Sequence, residues 1–265
     1  MLLSAGGARL AIPAERVRRV DARTDRGLLL AEALGLPPRT PGAAIEVEAL
    51  AEPLLVDALP AVVETSGSAP VRLPAASRTS RSIFDRALLL DGEVHLELEP
   101  VRLAARGEAE AGAPGGRTTV VPPLDRRTGP LAVPDQVLVF PVGERRFAVP
   151  FDLVLGVLER PRIFPVPGAP AAHRGVTLHA GELVAVLDLS AALGEEAGPE
   201  GRFAVLIDAG AGSVGLAAAG PGQVVAGLRA AGEEAAESGC WLLDPAGGRV
   251  FLPRPEVLPG ARASA

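Results

Sequence analysis

The sequence repeats itself, and the repeat limits what the chain can fold into. Residues 9–20 read RLAIPAERVRRV and residues 146–157 read RFAVPFDLVLGV. Arg9, Ala11, Pro13, Val17 and Val20 recur 137 residues later as Arg146, Ala148, Pro150, Val154 and Val157, and Gly6 recurs as Gly143. LAEALG (30–35) then matches LSAALG (189–194), but the offset has grown from 137 to 159, so the first copy lacks 22 residues between these points. IEVEA (45–49) lines up with VLIDA (205–209), and ALLLDGEVHLEL (87–98) with CWLLDPAGGRVFL (240–252). Each pair alone is weak, but the preserved order makes duplication the best reading. At roughly 100–200 residues per domain, 265 residues accommodate two domains.

The second copy shows what the repeated unit is made of. QVLVFPV and RRFAVP flank GE, and RGVTLH and ELVAVLDL flank AG, two hairpin signals. LVLGVLE is a further short apolar run. RPRIFPVPGAP is a loop, because proline fixes its own φ and donates nothing to a ladder. DLSAALG reads as one or two helical turns with Asp188 or Ser190 as N-cap and Gly194 at the C-terminus. RFAVLIDA, GSVGLAAA, QVVAGL, GCWLLD and RVFLP follow as short strands between glycine-containing turns, the pattern of small β-barrels or a sandwich. The piece missing from the first copy is the proline-rich loop and most of the RGVTLH hairpin. Residues 104–134, rich in Gly, Pro, Ala and charge, show no sustained helical or strand period and read as a linker. The expectation is an all-β chain with a shortened domain at 1–103, a linker at 104–134 and a fuller domain at 135–260.

Composition removes several functions. Hydrophobic residues make up 48% and the mean hydropathy is +0.28, enough for a core. The net charge of −6, with arginines interleaved among acids, argues against nucleic acid, which needs a basic surface. Aromatics are 3% with no Tyr, a poor stacking platform. MLLSAGGARLAIPAE has no basic n-region and too short an apolar run for a signal peptide, and no stretch approaches ~20 apolar residues. The expected protein is cytoplasmic and does not insert in a membrane.

Few residues invite chemistry. Cys240 is the single cysteine and reads as a small buried hydrophobe. His173 and His179 flank the Arg174-Gly175 pair, and His95 stands in the other block, without the further ligands a metal site needs. Asp188 reads as a helix cap rather than an acid catalyst. GAGSVG (210–215) joins two strands rather than a strand and a helix, so it fails as a dinucleotide loop, and GAPGG in the linker fails likewise. SRTSRS (77–82) reads as a solvated loop rather than a phosphorylation site. Trp241 lies in an apolar strand and reads as core or barrel seam. No nucleophile, base and acid set is present, so the expectation is a non-enzyme with no cofactor and no metal.

From FPVGERRFAVP through LDLSAALG, the second block resembles the CheW family of coupling proteins in bacterial chemosensory arrays. The resemblance rests on Val154 and Val157 in a V..V strand, the loop Pro165 to Pro170, Arg174-Gly175-Val176 with Gly181, and Val184 to Leu189 before a short helix. It implies that each domain is built of two small SH3-like five-stranded barrels, the first domain being a degenerate, shortened copy. It implies a non-catalytic adaptor that binds the regulatory domain of a CheA-type histidine kinase and the cytoplasmic tips of chemoreceptors. Val154, Gly175 and Val176 match positions at the family's kinase-facing edge; their other reading is core strand residues and a turn glycine. Thr177, Leu178, His179 and Ala180 form the receptor-facing segment in diverged form, because the family's Asn and Arg are gone there and its frequent Glu in the V.EV strand is Gly156. Two alternatives stay open: a diverged scaffold that touches neither kinase nor receptor, and, from another class, a β-barrel enzyme.

Overall fold

The computed structural model describes residues 1–22, 26–65, 68–78, 82–111, 133–196, 198, 201–210, 212–232 and 238–254. The fold is mostly β, in two compact units. Unit 1 comprises Met1–Thr118 with Phe164–Pro170, and unit 2 comprises Thr119–Ile163 with Ala171–Ala265. The sequence pattern had left the proline-rich Phe164–Pro170 in the second block. Prolines at 165, 167 and 170 keep this stretch out of sheet ladders.

Unit 1 contains β1 (Leu2–Ala5), β2 (Ala8–Ala11), β3 (Val17–Asp21), β4 (Leu28–Leu29), α1 (Leu30–Ala33), β5 (Ala43–Val47), β6 (Leu54–Val56), β7 (Val71–Arg72), β8 (Phe84–Leu90), β9 (Glu93–Leu98) and α2 (Pro100–Ala111). Two sheets form, in the orders β1-β2-β9-β8-β7 and β3-β5-β6-β4. β8 and β9 turn through Asp91 and Gly92, both at positive φ, the Asp-Gly pair that a two-residue hairpin turn favours.

Unit 2 contains β10 (Gln136–Val142), β11 (Arg145–Pro150), β12 (Val154–Glu159), β13 (His173–His179), β14 (Glu182–Leu187), α3 (Leu189–Ala192), β15 (Phe203–Asp208), β16 (Ser213–Ala218), β17 (Gln223–Ala226), β18 (Arg229–Ala230), β19 (Gly239–Leu243) and β20 (Arg249–Pro253). Its sheets run β17-β10-β11-β20-β19-β18 and β12-β15-β16-β14-β13. β17 and β18 are the arms of one bent segment. Gly227, at φ +72°, makes the corner, so that β17 pairs with β10 while β18 pairs with β19. The segment thereby closes a five-walled barrel, which only a residue tolerant of positive φ permits at that corner. Val137, Val139, Ala148, Leu228, Leu242, Val250 and Leu252 fill it. Each valine or leucine among them contributes roughly 1.5–3 kcal/mol on burial. On the other face of the same sheet, Phe251 lies edge-on to both Phe147 and Trp241.

The two units follow one plan. The parallel β2–β9 pair of unit 1 has its counterpart in β11–β20. A one-turn 3-10 helix follows Pro13 in one and Pro150 in the other. A bulge falls between Val17 and Arg19 in β3 and between Val154 and Gly156 in β12, the same repeat positions. The parallel pair Leu28 with Leu54 matches Leu187 with Leu216. The shortening also lies where the repeat offsets put it: β4 has two residues where β14 has six, and among the described residues unit 1 has no strand matching β13.

One expectation is corrected. α2 runs through Ala111, into the stretch read as lacking helical period. Proline at a first helical position forfeits no hydrogen bond, and Val-Arg-Leu-Ala-Ala-Arg-Gly-Glu-Ala-Glu-Ala is mostly strong helix formers that outweigh one glycine. Buried Leu103 docks the first turn, and Arg102 pairs with Glu99 at 3.5 Å. Residues 112–132 of the expected linker lie outside the described residues.

Candidate protein-interaction site

The residues singled out from sequence lie on β12 and β13, the two ends of one five-stranded sheet. β15, β16 and β14 stand between them because β14 pairs in parallel with β16 while β12 pairs only with β15. Val154 and Gly175-Val176 therefore sit on different edges of the sheet order. Val154 is half-buried; it opens β12, donates its N–H to the Phe151 carbonyl that closes the 3-10 turn, and pairs with Ile207. Gly175 lies in a bulge of β13 at φ +145°, a conformation L side chains rarely adopt. That geometry alone accounts for a glycine here. Val176 is 0% exposed, so its side chain belongs to the core.

The diverged segment splits by depth. Thr177 is buried, whereas Leu178, His179 and Ala180 are exposed. His179 pairs with Glu182 across a two-residue turn in which Ala180 (φ +50°) and Gly181 (φ +83°) are both left-handed.

Arg174 does not face outward. Its Nε donates to Asp188 Oδ2 at 3.1 Å, and its Nη2 donates to the same carboxylate oxygen and to the Gly198 carbonyl. Asp188 is 1% exposed, and its Oδ1 accepts the Ala191 N–H at 3.2 Å as N-cap of α3. The Arg174–Asp188 pair thus ties β13, α3 and the chain at Gly198 together. Asp188 is the cap, as one of the two sequence alternatives had it. In unit 1 the matching residue is Leu29, which makes no side-chain cap bond.

Other polar residues are also structural. Burial pushes the His173 imidazole down to about 4. Hydrogen bonds from the Gly248 N–H and Arg146, joined by that of Ala246, hold Asp244 below the usual carboxylate range. Cys240 packs against the closed barrel's core, and burial raises its thiol pKa. Ser77 and Ser82 are buried, and Ser82 Oγ donates to the Phe84 carbonyl; residues 79–81 lie outside the described residues. Arg249 stacks 4.6 Å from the Trp241 ring centre. A cleft of about 640 Å³ opens beside Pro141, Arg146, Gly222, Val224 and Asp244, with Arg146 already committed to Asp244. Among the described residues, no group of three or more His, Cys, Asp or Glu side chains could hold a metal ion, and no helix is long and apolar enough to cross a membrane.

Sequence reasoning missed the surface of β12. Leu155 is 56% exposed and Val157 38%, with Phe151 exposed just before them. The signal was available: LVLGVLE is apolar at both alternating sets of positions, so one set must face away from the core whenever one face of the sheet is open.

Three comparisons bear on this chain. The scaffolding protein TtCheW from Thermoanaerobacter tengcongensis is similar at TM-score 0.40 and 14% identity, over 46% of this chain and 90% of that one. Protein FrzA of Myxococcus xanthus is 42% identical over 66 residues, 24% of this chain and 41% of FrzA. The chain thus spans about two fifths of the length of that curated relative. The family model of the CheW-like domain matches residues 136–227, which cover β10 through β17. Over residues 136–227, then, the second unit of this chain matches the model of the CheW-like domain family.

Proposed function

We propose that this protein is a non-catalytic adaptor in a bacterial chemosensory system, coupling a CheA-type histidine kinase to receptors or to other signalling proteins. The observation that carries the reading is the match to the CheW-like domain family at 136–227. The polar chemistry around it fits an adaptor: Arg174 and Asp188 are spent on holding β13 and α3, and Asp244 on a turn. In this reading unit 1 is a shortened second copy, unit 2 engages the kinase through the surface around Val154, and the protein works in the cytoplasm. Co-purification of the full chain with the regulatory domain of the CheA-type kinase from the same genome tests it. Retention of that domain supports coupling, and its absence refutes it.

A second reading has its own support. The exposed turn carries Leu178, His179 and Ala180 where the family carries Asn and Arg, and an arginine's forked hydrogen bonds have no substitute there. A scaffold that has left kinase and receptor contacts behind would keep the fold and lose that binding. The same experiment separates the two.

A further inference from the structure

The repeat extends to one more segment, and there the two units differ. Ala61 bridges Leu2 in unit 1, and Gln223 pairs with Val139 in unit 2. Leu2 and Val139 are 137 residues apart, so AVVET (61–65) stands where QVVAG (223–227), β17 with its corner glycine, stands. β17 pairs four residues with β10. Among the described residues, 61–65 has a single bridge, in which the Leu2 N–H donates to the Ala61 carbonyl at 2.7 Å and the Ala61 N–H to the Leu2 carbonyl at 3.0 Å. Val225 packs against the core of unit 2's barrel, whereas its counterpart Val63 is 40% exposed, and Val62 73%. The sheet of unit 1 is also polar where that of unit 2 is apolar. The parallel pair Leu10–Leu96 matches Phe147–Phe251, so His95 and Glu97 of β9 take the places of Val250 and Leu252, which fill the closed barrel. Arg9 pairs with Glu93, and Arg86 with Glu97 Oε1 at 3.1 Å. Glu97 Oε2 and His95 Nδ1 are buried without a hydrogen-bond partner among the described residues. Burial pushes the His95 pKa down and the Glu97 pKa up, as it does for polar groups short of solvent.

We propose that residues 61–65 form a hinged strap, which swings off β1 while the rest of unit 1 stays folded and so lets water reach His95 and Glu97. Opening breaks the two hydrogen bonds of one bridge, which water replaces, and it uncovers little apolar surface because Val62 and Val63 already face solvent. It also hydrates two atoms that are costly to keep buried and unpaired. Segments with few buried apolar contacts are the ones that open locally. Both flanks are anchored. Before the strap, the Asp57 N–H donates to the Ser4 carbonyl at 2.9 Å, and the Asp57 carboxylate accepts from the Gly6 and Gly7 N–H groups at 3.2 and 3.3 Å. After it, Val71 and Arg72 pair with β8. Unit 2 lacks this exit, because releasing β17 would break a four-residue ladder and wet Val137, Val225, Val250 and Leu252.

The inference stands apart from the adaptor reading and is tested on the full chain alone, by residue-resolved hydrogen exchange followed by NMR at pH 7. The Ala61 amide, which is bonded to the Leu2 carbonyl, should exchange at least roughly tenfold faster than the amides of β9, as a locally opening segment does. His95→Val with Glu97→Leu puts the unit 2 residues into unit 1 and should slow exchange at Ala61 by about tenfold, because closing the strap then strands no polar atom. The amides of β17 should be unaffected. A disulfide guards against a folding defect in that variant. In a Cys240→Ser background, Leu2→Cys with Ala61→Cys should close an intramolecular disulfide under oxidised glutathione, because hydrogen-bonded partners in an antiparallel pair lie about 5.5 Å apart at Cα, within the disulfide range of about 4.4–6.8 Å. The oxidised chain should exchange at residue 61 at least roughly tenfold more slowly than the reduced one, since the strap can no longer open. An Ala61 amide as protected as β9, or a β9 that exchanges as fast as Ala61, would overturn the proposal. So would exchange at residue 61 that the disulfide, or a folded His95→Val, Glu97→Leu chain, leaves unchanged.

Discussion

Removing the Arg174 guanidinium should destabilise unit 2 more than any change at its surface. In Arg174→Ala, the Asp188 carboxylate stays buried at 1% exposure and keeps one backbone donor, the Ala191 N–H. Arg174 itself is only 26% exposed at its side chain, so solvent screens the pair weakly. Stranding one partner of a buried pair costs about 3–5 kcal/mol. We take the lower end, about 3 kcal/mol, because the cap hydrogen bond survives. For a unit of this size that lowers Tm by roughly 10 °C. The assay is built into the chain: Trp241 is the single tryptophan and lies in unit 2, so its fluorescence during urea unfolding reports that unit. Asp188→Asn, which keeps a capping oxygen without the charge, should rescue part of the loss when combined with Arg174→Ala, because neither charge is then left alone. If Arg174→Ala stays within 0.5 kcal/mol of the parent, or if the double variant is simply additive, Arg174 is not the lock described here.

Three further outcomes follow from local geometry. His173 has a folded pKa of about 4, below its ordinary ~6.5. Its contribution to stability is therefore complete above pH 6.5 and falls away as pH drops toward 4, by about 3 kcal/mol; Trp241-monitored melts across that window should show the slope, and His173→Gln should remove it. Ala180 sits left-handed in the β13–β14 turn, so Ala180→Asn, which creates an Asn-Gly turn, should stabilise by about 0.5–1 kcal/mol and raise Tm by a few degrees in calorimetry. A Cβ at Gly239 would stand 2.4 Å from the Leu252 carbonyl oxygen and 2.6 Å from the Phe251 ring, so Gly239→Ala should lower stability by about 1–3 kcal/mol in the same urea titration.

The parts of this molecule that were legible in its sequence are those with a short-range physical signal. The β10–β11 and β13–β14 hairpins announce themselves through turn residues between apolar runs, and α3 through Asp188 and Gly194. The repeat offsets locate the shortened sheet of unit 1, because a missing strand must leave a gap in the numbering. What was illegible depends on partners far away in the chain. Arg174 and Asp188 are 14 residues apart and meet only because the β13–β14 hairpin folds back, so nothing near either residue marks the pair. The separation of Val154 from Gly175 follows from the parallel β14–β16 pairing, which no local pattern encodes. α2 was hidden by the glycine- and proline-rich residues that follow it, whose composition outweighed its own in a wide window.

The central claim is that unit 2 couples to a kinase, and calorimetric titration of the full chain with the regulatory domain of the CheA-type kinase from the same genome measures it most directly. The account predicts saturable binding. It also predicts that Val154→Asp weakens that binding at least tenfold, since an unpaired charge in an apolar contact costs a few kcal/mol, while Val17→Asp at the matching place in unit 1 leaves it unchanged. The Trp241 unfolding curve of Val154→Asp must match the parent's, because Val154 is half-buried. Absence of any heat of binding from the parent chain, or a folded Val154→Asp chain that binds as the parent does, would contradict the account.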